Sequence, residues 1–244
     1  HGWQDWYLAA NLGENDALKR HLLPGLNPEG VPESLRNTAF PFKYNDLSAF
    51  REIIDNHDDL AAVIMEPCRY EDPKQGFLEA IRTITRKKGI VLIMDEITVG
   101  WRLNFGGMHL KYNIEPDMAV FAKALGNGYP IGAVIGTKVA MEGANRSFIS
   151  STYWTESLGP VAALATIAEM EKQDVQKAIE HSGRMVQKIL QTTAAKENLH
   201  LHIKGFPALT NFSFAHKESE MLRTIFTQQM LTKGFLAGTS FYPT

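Results

Sequence analysis

Residues 90–95 read IVLIMD and residues 118–123 read MAVFAK. Each is a continuous apolar run that ends on a titratable side chain, Asp95 in the first and Lys123 in the second. Apolar residues without alternation are expected of strands buried on both faces of a parallel sheet, because a half-exposed strand would alternate. A third run of the same kind, AAVIM at 61–65, leads into Glu66. Between this run and IVLIM lies GFLEAIRTITRKKG, with Phe77, Leu78, Ile81 and Ile84 at helical spacing and a basic last turn before Gly89. That pattern predicts a helix with a glycine C-terminus. Glu66, Asp95 and Lys123 therefore follow one another at roughly 30-residue intervals, one strand–helix–strand unit each. In open α/β sheets ligands bind at the carboxyl edge of the strands, so the three form a candidate functional group. Two plainer readings stay open. A charge after a strand also returns the chain to water, and an Asp–Lys salt bridge at the sheet edge accounts for the same pair.

Outward from this core, Leu158 to Met170 (LGPVAALATIAEM) reads as an Ala-rich buried helix with Pro160 in its first turn. Asp174 to Ala195 reads as an amphipathic helix with Asp174 as N-cap and Val175, Ile179, Val186, Ile189 and Leu190 on one stripe. The texture then turns to β-like segments, LHLHIKGF and ALTNFSFAH, a helix around Glu220 to Lys233, and GFLAGTSFY. The expected division is a large domain at 1–172 and a smaller α+β domain at 173–244.

With 25 Lys+Arg against 27 Asp+Glu and no blocks of like charge, the 244-residue chain has a net charge of −2. Binding to nucleic acid or an anionic membrane needs clustered cations to displace counterions, so neither partner is expected. No apolar run approaches the length of a bilayer span, and the single cysteine, Cys68, has no internal partner. A reducing, cytoplasmic setting and a small-molecule or protein partner are expected. No GxSxG, Walker A, HExxH or CxxC pattern occurs, which removes the sequence case for serine hydrolases, P-loop enzymes, zincins and dithiol redox proteins. His200 and His202 lack the further ligands that zinc needs, so no metal is expected.

What remains is an Asp and a Lys, each closing a strand. Partial desolvation where VFA meets the glycine-rich ALGNGYP lowers the basicity of the Lys123 amine and frees it to form a Schiff base. A carboxylate at Asp95 can face a ring nitrogen and keep it protonated, making the ring an electron sink. Pyridoxal phosphate chemistry needs both roles.

LIMDEITVGWRLNFGG, followed by EPDMAVFAKALGNGYPIGAVIG, resembles the class III pyridoxal-phosphate aminotransferases, and among them the glutamate-1-semialdehyde 2,1-aminomutase branch. There the Asp-Glu-x-x-x-Gly-aromatic-Arg stretch runs without a gap into a Gly-Gly pair, here Gly106 and Gly107. HGWQDW at the start and GFLAGTSFY at the end are similar to further segments of that family. The resemblance implies an α/β protein of fold-type I, with a mostly parallel sheet flanked by helices and part of a smaller C-terminal α+β domain. It implies pyridoxal 5'-phosphate as cofactor, an amino donor and a carbonyl acceptor as substrates, and a homodimer. Lys123 matches the Schiff-base lysine that also moves protons, Asp95 the carboxylate on the pyridinium nitrogen, and Ile97 the aliphatic side chain against one ring face. Thr98 falls where many relatives carry Gln on the ring's phenolic oxygen. Thr155, with Thr152 as second candidate, matches a threonine that holds the cofactor phosphate of the neighbouring subunit, and Glu66 matches a Glu-Pro pair beside the cofactor. Set against the family, the chain is expected to lack both ends, including the phosphate-binding Gly-Ser/Thr loop, and to be inactive by itself. The alternatives are a non-catalytic fold-type I fragment acting as a dimer or scaffold module, and a nucleotide-binding α/β domain.

Overall fold

The structure, a computed structural model, describes residues 4–13, 17–18 and 26–243, so the His1–Trp3 part of HGWQDW lies outside the described residues. It divides into two units: residues 1–63 with 73–90, and residues 64–72 with 91–244.

The first unit contains α1 (Gln4–Gly13), α2 (Leu47–Asn56), the start of β1 (Ala62–Met65) and α3 (Phe77–Lys88). Asp46 caps α2, its carboxylate accepting the Ala49 N–H at 3.0 Å, which satisfies one of the amides a helix start leaves open. Phe50 and Ile54 of α2 and Phe77, Leu78 and Ile81 of α3 are buried, as the helical spacing requires. The basic last turn of α3, Arg86 to Lys88, sits at the negative end of the helix dipole. Gly89 ends it at φ 71°, and the Ile90 N–H closes back on Thr85 O at 2.9 Å.

In the second unit the four-stranded sheet runs β1–β2–β3–β4. β2 (Val91–Asp95) and β3 (Met118–Phe121) are parallel, with Asp95 opposite Val120. The Glu96 N–H extends the ladder by donating to Val120 O at 2.9 Å. Complete burial is confined to alternate residues, Leu92 and Met94 on β2 and Ala119 and Phe121 on β3, while Ile93 and Val120 are half-buried. The continuous apolar runs thus have one closed face and one partly open face in this chain. β4 (Ala133–Gly136) is antiparallel to β3, making the sheet mixed, because the stretch from Ala122 to Gly132 is too short for a parallel crossover.

α4 (Met108–Lys111) lies between β2 and β3, and α5 (Lys138–Asn145) follows β4. α6 (Leu158–Lys172) forms where expected but is not a buried helix: only Gly159 and Ala163 are enclosed, while Leu158, Val161 and Leu164 are 60–68% exposed. Its alanines and leucines supply helix propensity on every side, so the composition does not distinguish a covered face from an open one. α7 (Val175–Lys196) buries Ile179, Gly183 and Ala194, whereas Ile189 of the expected stripe is exposed. Asp174 forms an ion pair with Lys177 and makes no side-chain cap. The second sheet is antiparallel, β5 (Leu201–Lys204), β6 (Thr210–Phe214) and β7 (Ser240–Phe241) in order. α8 (Ser219–Thr232) packs on β6 through the rings of Phe226 and Phe212, 5.4 Å apart. Among the described residues no helix is long and apolar enough to cross a membrane.

α7 meets the 3₁₀ turn Pro207–Leu209 at Gly183, where a Cβ would stand 2.0 Å from Pro207 O. That neighbour is main chain and cannot swing aside, so Gly183→Ala is expected to lower stability by about 1–3 kcal/mol in urea unfolding, the usual range for overpacking. An unchanged midpoint would show that the helix and the turn separate freely.

Candidate active site

The parallel register sets Asp95 at the end of β2 and brings β3 to its own end two residues before Lys123. Lys123 opens a 3₁₀ turn, Lys123–Leu125, with φ 48°. The left-handed region is uncommon for a residue with a Cβ, and such strain collects at functional positions. Its carbonyl is occupied by the N–H groups of Gly126 and Asn127, at 3.2 and 3.0 Å. Gly126 is required there, because a Cβ would lie 2.3 Å from Tyr129 O.

From this turn the Lys123 Nζ donates to Thr98 Oγ1 at 2.9 Å. The hydroxyl is buried while Lys123 itself stays accessible. Asp95 is 9% exposed, and its Oδ1 accepts the Ile97 N–H at 3.0 Å, so the strand end and the following turn share one carboxylate. Glu66, after β1, pairs with Arg69 at 2.6 Å; Glu66 Oε2 and Arg69 Nε are buried without a hydrogen-bond partner. All these residues belong to the second unit.

Burial lowers the basicity of the Lys123 amine below that of an ordinary lysine, and the nearby Arg69 charge adds to this; Glu66 and Asp95 oppose it. Burial raises the Glu66 carboxyl above the usual carboxylate range, with Arg69 pulling the other way. The expected trio therefore forms one electrostatically coupled group, with Thr98 bonded to the amine and Ile97 bonded to the carboxylate. Thr152 and Thr155 stand in an exposed turn before α6 and are not hydrogen-bonded to this group.

Four polar residues here have no role assigned by the sequence pattern: Glu96, His109, Arg69 and Arg102. Glu96 is fully buried and accepts from the Met108 N–H at 2.9 Å and the His109 N–H at 2.8 Å, with His109 Nδ1 2.7 Å away. It thereby ties the residue after β2 to the start of α4 and closes the loop that carries Ile97 and Thr98. Gly107 must lack a side chain, since a Cβ would fall 2.3 Å from His109 Nδ1 and 2.8 Å from Glu96 Oε1. The motif Glu, the Gly-Gly pair and the His two residues on were the available signal for this clamp. Glu and Arg three residues apart, as at 66 and 69, were the signal for the other pair. Among the described residues no group of three or more His, Cys, Asp or Glu side chains could hold a metal ion.

Cys68, two residues after Glu66, is fully buried with Val99, Met108 and Leu209, and burial pushes its thiol up to about 12. Reactivity requires the exposed thiolate. A thiol reagent such as DTNB at pH 8 is therefore expected to leave Cys68 unmodified in the native protein and to titrate it fully in denaturant; rapid native labelling would contradict this packing.

The Asp95 carboxylate at the end of β2 and the Lys123 amine in the turn after the parallel β3 thus lie at the carboxyl edge of the sheet, where ligands of open α/β sheets bind. Comparison with known proteins makes the assignment specific. Residues 31–241 match the family model Aminotransferase class-III, and the chain belongs to that family. It is 29% identical over 236 residues to 3-aminobutyryl-CoA aminotransferase of Cloacimonas acidaminovorans, covering 93% of this chain and 53% of that protein. It is 32% identical over 214 residues to glutamate-1-semialdehyde 2,1-aminomutase of Methanosphaera stadtmanae, covering 85% of this chain and 50% of that protein. The chain thus spans about half the length of these curated relatives. In fold it is similar to FumI of Sphingopyxis sp. MTA144, solved in its PLP internal aldimine form, with a TM-score of 0.81 at 21% identity over 96% of this chain and 61% of that one. The fold is accordingly the fold-type I architecture of the transaminases.

Proposed function

We propose that the protein to which this chain belongs binds pyridoxal 5'-phosphate and transfers an amino group. The transfer runs either from an amino donor to a carbonyl acceptor or within one molecule as an aminomutase. The observation that carries the reading is the Lys123 amine held on the Thr98 hydroxyl at 2.9 Å, in the field of the buried Asp95 carboxylate. Membership of the class III aminotransferase family supports it.

The residues fit the cofactor by their chemistry. A buried carboxylate fixed by a backbone donor suits a protonated ring nitrogen, and a primary amine of lowered basicity suits an aldehyde carbon. When bound, pyridoxal phosphate supplies that aldehyde and an electron-withdrawing ring. Asp95 would hold the ring nitrogen in its protonated state. Ile97, half-buried beside it, offers an apolar wall to a flat ring. Thr98 orients the Lys123 Nζ, a positioning role reached through the amine itself. Lys123, once free, would take a proton from the substrate carbon and return it as general acid, a role its lowered basicity favours. Glu66 balances the Arg69 charge beside these groups.

Residues 1–172 would form the large cofactor domain and 173–244 part of the small one. Phe148, Ile149, Tyr153, Trp154, Leu158 and Val161 form an exposed apolar stretch that suits a second copy of the chain. Pairing there would bring Thr155, or Thr152, towards the cofactor phosphate of the neighbouring subunit. Trp154→Asp is expected to shift the full-length protein from dimer to monomer in sedimentation velocity; an unchanged dimer would remove this face from the interface.

Borohydride reduction of the full-length protein with pyridoxal phosphate, followed by peptide mass mapping, is expected to place the cofactor's mass on Lys123. Lys123→Arg should lose this product and turnover, and Asp95→Asn should lower kcat by roughly 100-fold or more, the scale of a lost electrostatic or acid–base contribution. A full-length protein that retains no cofactor mass on Lys123 would overturn the reading in favour of a non-catalytic dimer or scaffold module.

A further inference from the structure

The motif residue Arg102 is 4% exposed, and among the described residues no carboxylate pairs with its guanidinium. Buried charges are ordinarily paired, so its uncompensated burial calls for a role. Its bonds run to two distant parts of the chain. Nε donates to the Thr98 carbonyl at 3.2 Å and Nη1 to the Pro243 carbonyl at 2.6 Å, while Cζ lies 5.7 Å from the centre of the Tyr242 ring. The Thr98 hydroxyl, on the same residue as the first acceptor, receives the Lys123 amine at 2.9 Å. One chain of contacts therefore runs from the segment after β7, through Arg102 and Thr98, to Lys123 Nζ.

We propose that Arg102 is a positioning residue for Lys123: it fixes Thr98 as the acceptor of the amine, holds a full positive charge beside that amine, and is itself held by Tyr242 and Pro243. The inference deepens the proposed function and rests on the role given there to Lys123. In a water-exposed position solvent would screen the guanidinium charge; burial against the Tyr242 ring keeps it local. The charged groups acting on the Lys123 amine are Arg69 and Arg102, which disfavour its protonation, and Glu66 and Asp95, which favour it. Glu66 and Arg69 are bonded to each other, so their effects oppose at close range, whereas Arg102 has no carboxylate partner among the described residues.

The test uses the cofactor-free full-length protein, so it reads Arg102 independently of whether pyridoxal phosphate is the cofactor. Competitive trace acetylation across pH 6–10, with peptide mass spectrometry, gives the reactivity midpoint of Lys123 against exposed Lys138. In the unaltered protein Lys123 is expected to titrate below Lys138. Arg102→Gln should raise the Lys123 midpoint by roughly half a pH unit or more, the scale on which a nearby charge acts, and leave Lys138 unchanged. Arg102→Lys, which keeps the charge, should restore part of the difference. Tyr242→Leu should raise the midpoint by less than Arg102→Gln, as the guanidinium becomes hydrated, and it decides the matter if Arg102→Gln does not fold. A folded Arg102→Gln protein with an unaltered Lys123 midpoint overturns the proposal, as does an unaltered midpoint in Tyr242→Leu when the first variant fails to fold. Failure of the borohydride product with the midpoint shift intact would instead reject the cofactor reading alone.

Discussion

The parallel pairing of β2 with β3 is the constraint on which the site depends. A slip of one residue would carry every side chain of one strand to the opposite face, moving Asp95 away from Lys123. The register is pinned at both ends. At the start Asp117 binds Leu92 twice, its Oδ2 accepting the Leu92 N–H at 2.8 Å and its own N–H donating to Leu92 O at 2.9 Å. At the far end the Glu96 N–H reaches Val120 O, and between them Leu92, Met94, Ala119 and Phe121 are buried. Burying these four apolar side chains contributes on the order of 1.5–3 kcal/mol for each of the larger ones, so slippage would forfeit both the packing and the end bonds.

Asp95, the last residue of β2, and Glu96, the first beyond it, are consecutive buried carboxylates with different partners. Glu96 meets two backbone donors and the His109 ring in a fully enclosed position, so its charge is used up in holding the loop to α4. Asp95 keeps a shared bond with the Ile97 N–H and stands in the electrostatic reach of Lys123. Gly107 follows from the same clamp, because the Glu96 carboxylate and the His109 ring occupy the space its side chain would need.

These contacts explain what the sequence made legible and what it hid. The runs at 61–65, 90–94 and 118–122 and the helix ending at Gly89 are local signals: apolar continuity, helical spacing and a left-handed glycine stop each act within a few residues. Asp95, Lys123 and Glu66 were visible because each closes such a run. Antiparallel β4 depended on the length of a loop, and the open face of α6 depended on what covers it, which its Ala-rich composition does not encode. Arg102 was visible only as a letter in a motif, since its partner at Pro243 lies 141 residues further along the chain. Arg69 was missed for a different reason: ion pairs three residues apart are common on exposed helices, and only the enclosed setting after β1 makes this one informative.

The balance of charge at Lys123 links the two chemical groups of the proposed site. Burial, then Arg69 and, least of these, Arg102 lower the basicity of the amine, while Glu66 and Asp95 raise it, and the downward influences prevail. A cation held against Asp95 would cancel its upward influence and lower the basicity of the amine further. By linkage, deprotonating Lys123 would in turn strengthen the hold on that cation, because the two positive charges no longer repel. Occupation of the carboxylate and release of the free amine therefore favour one another.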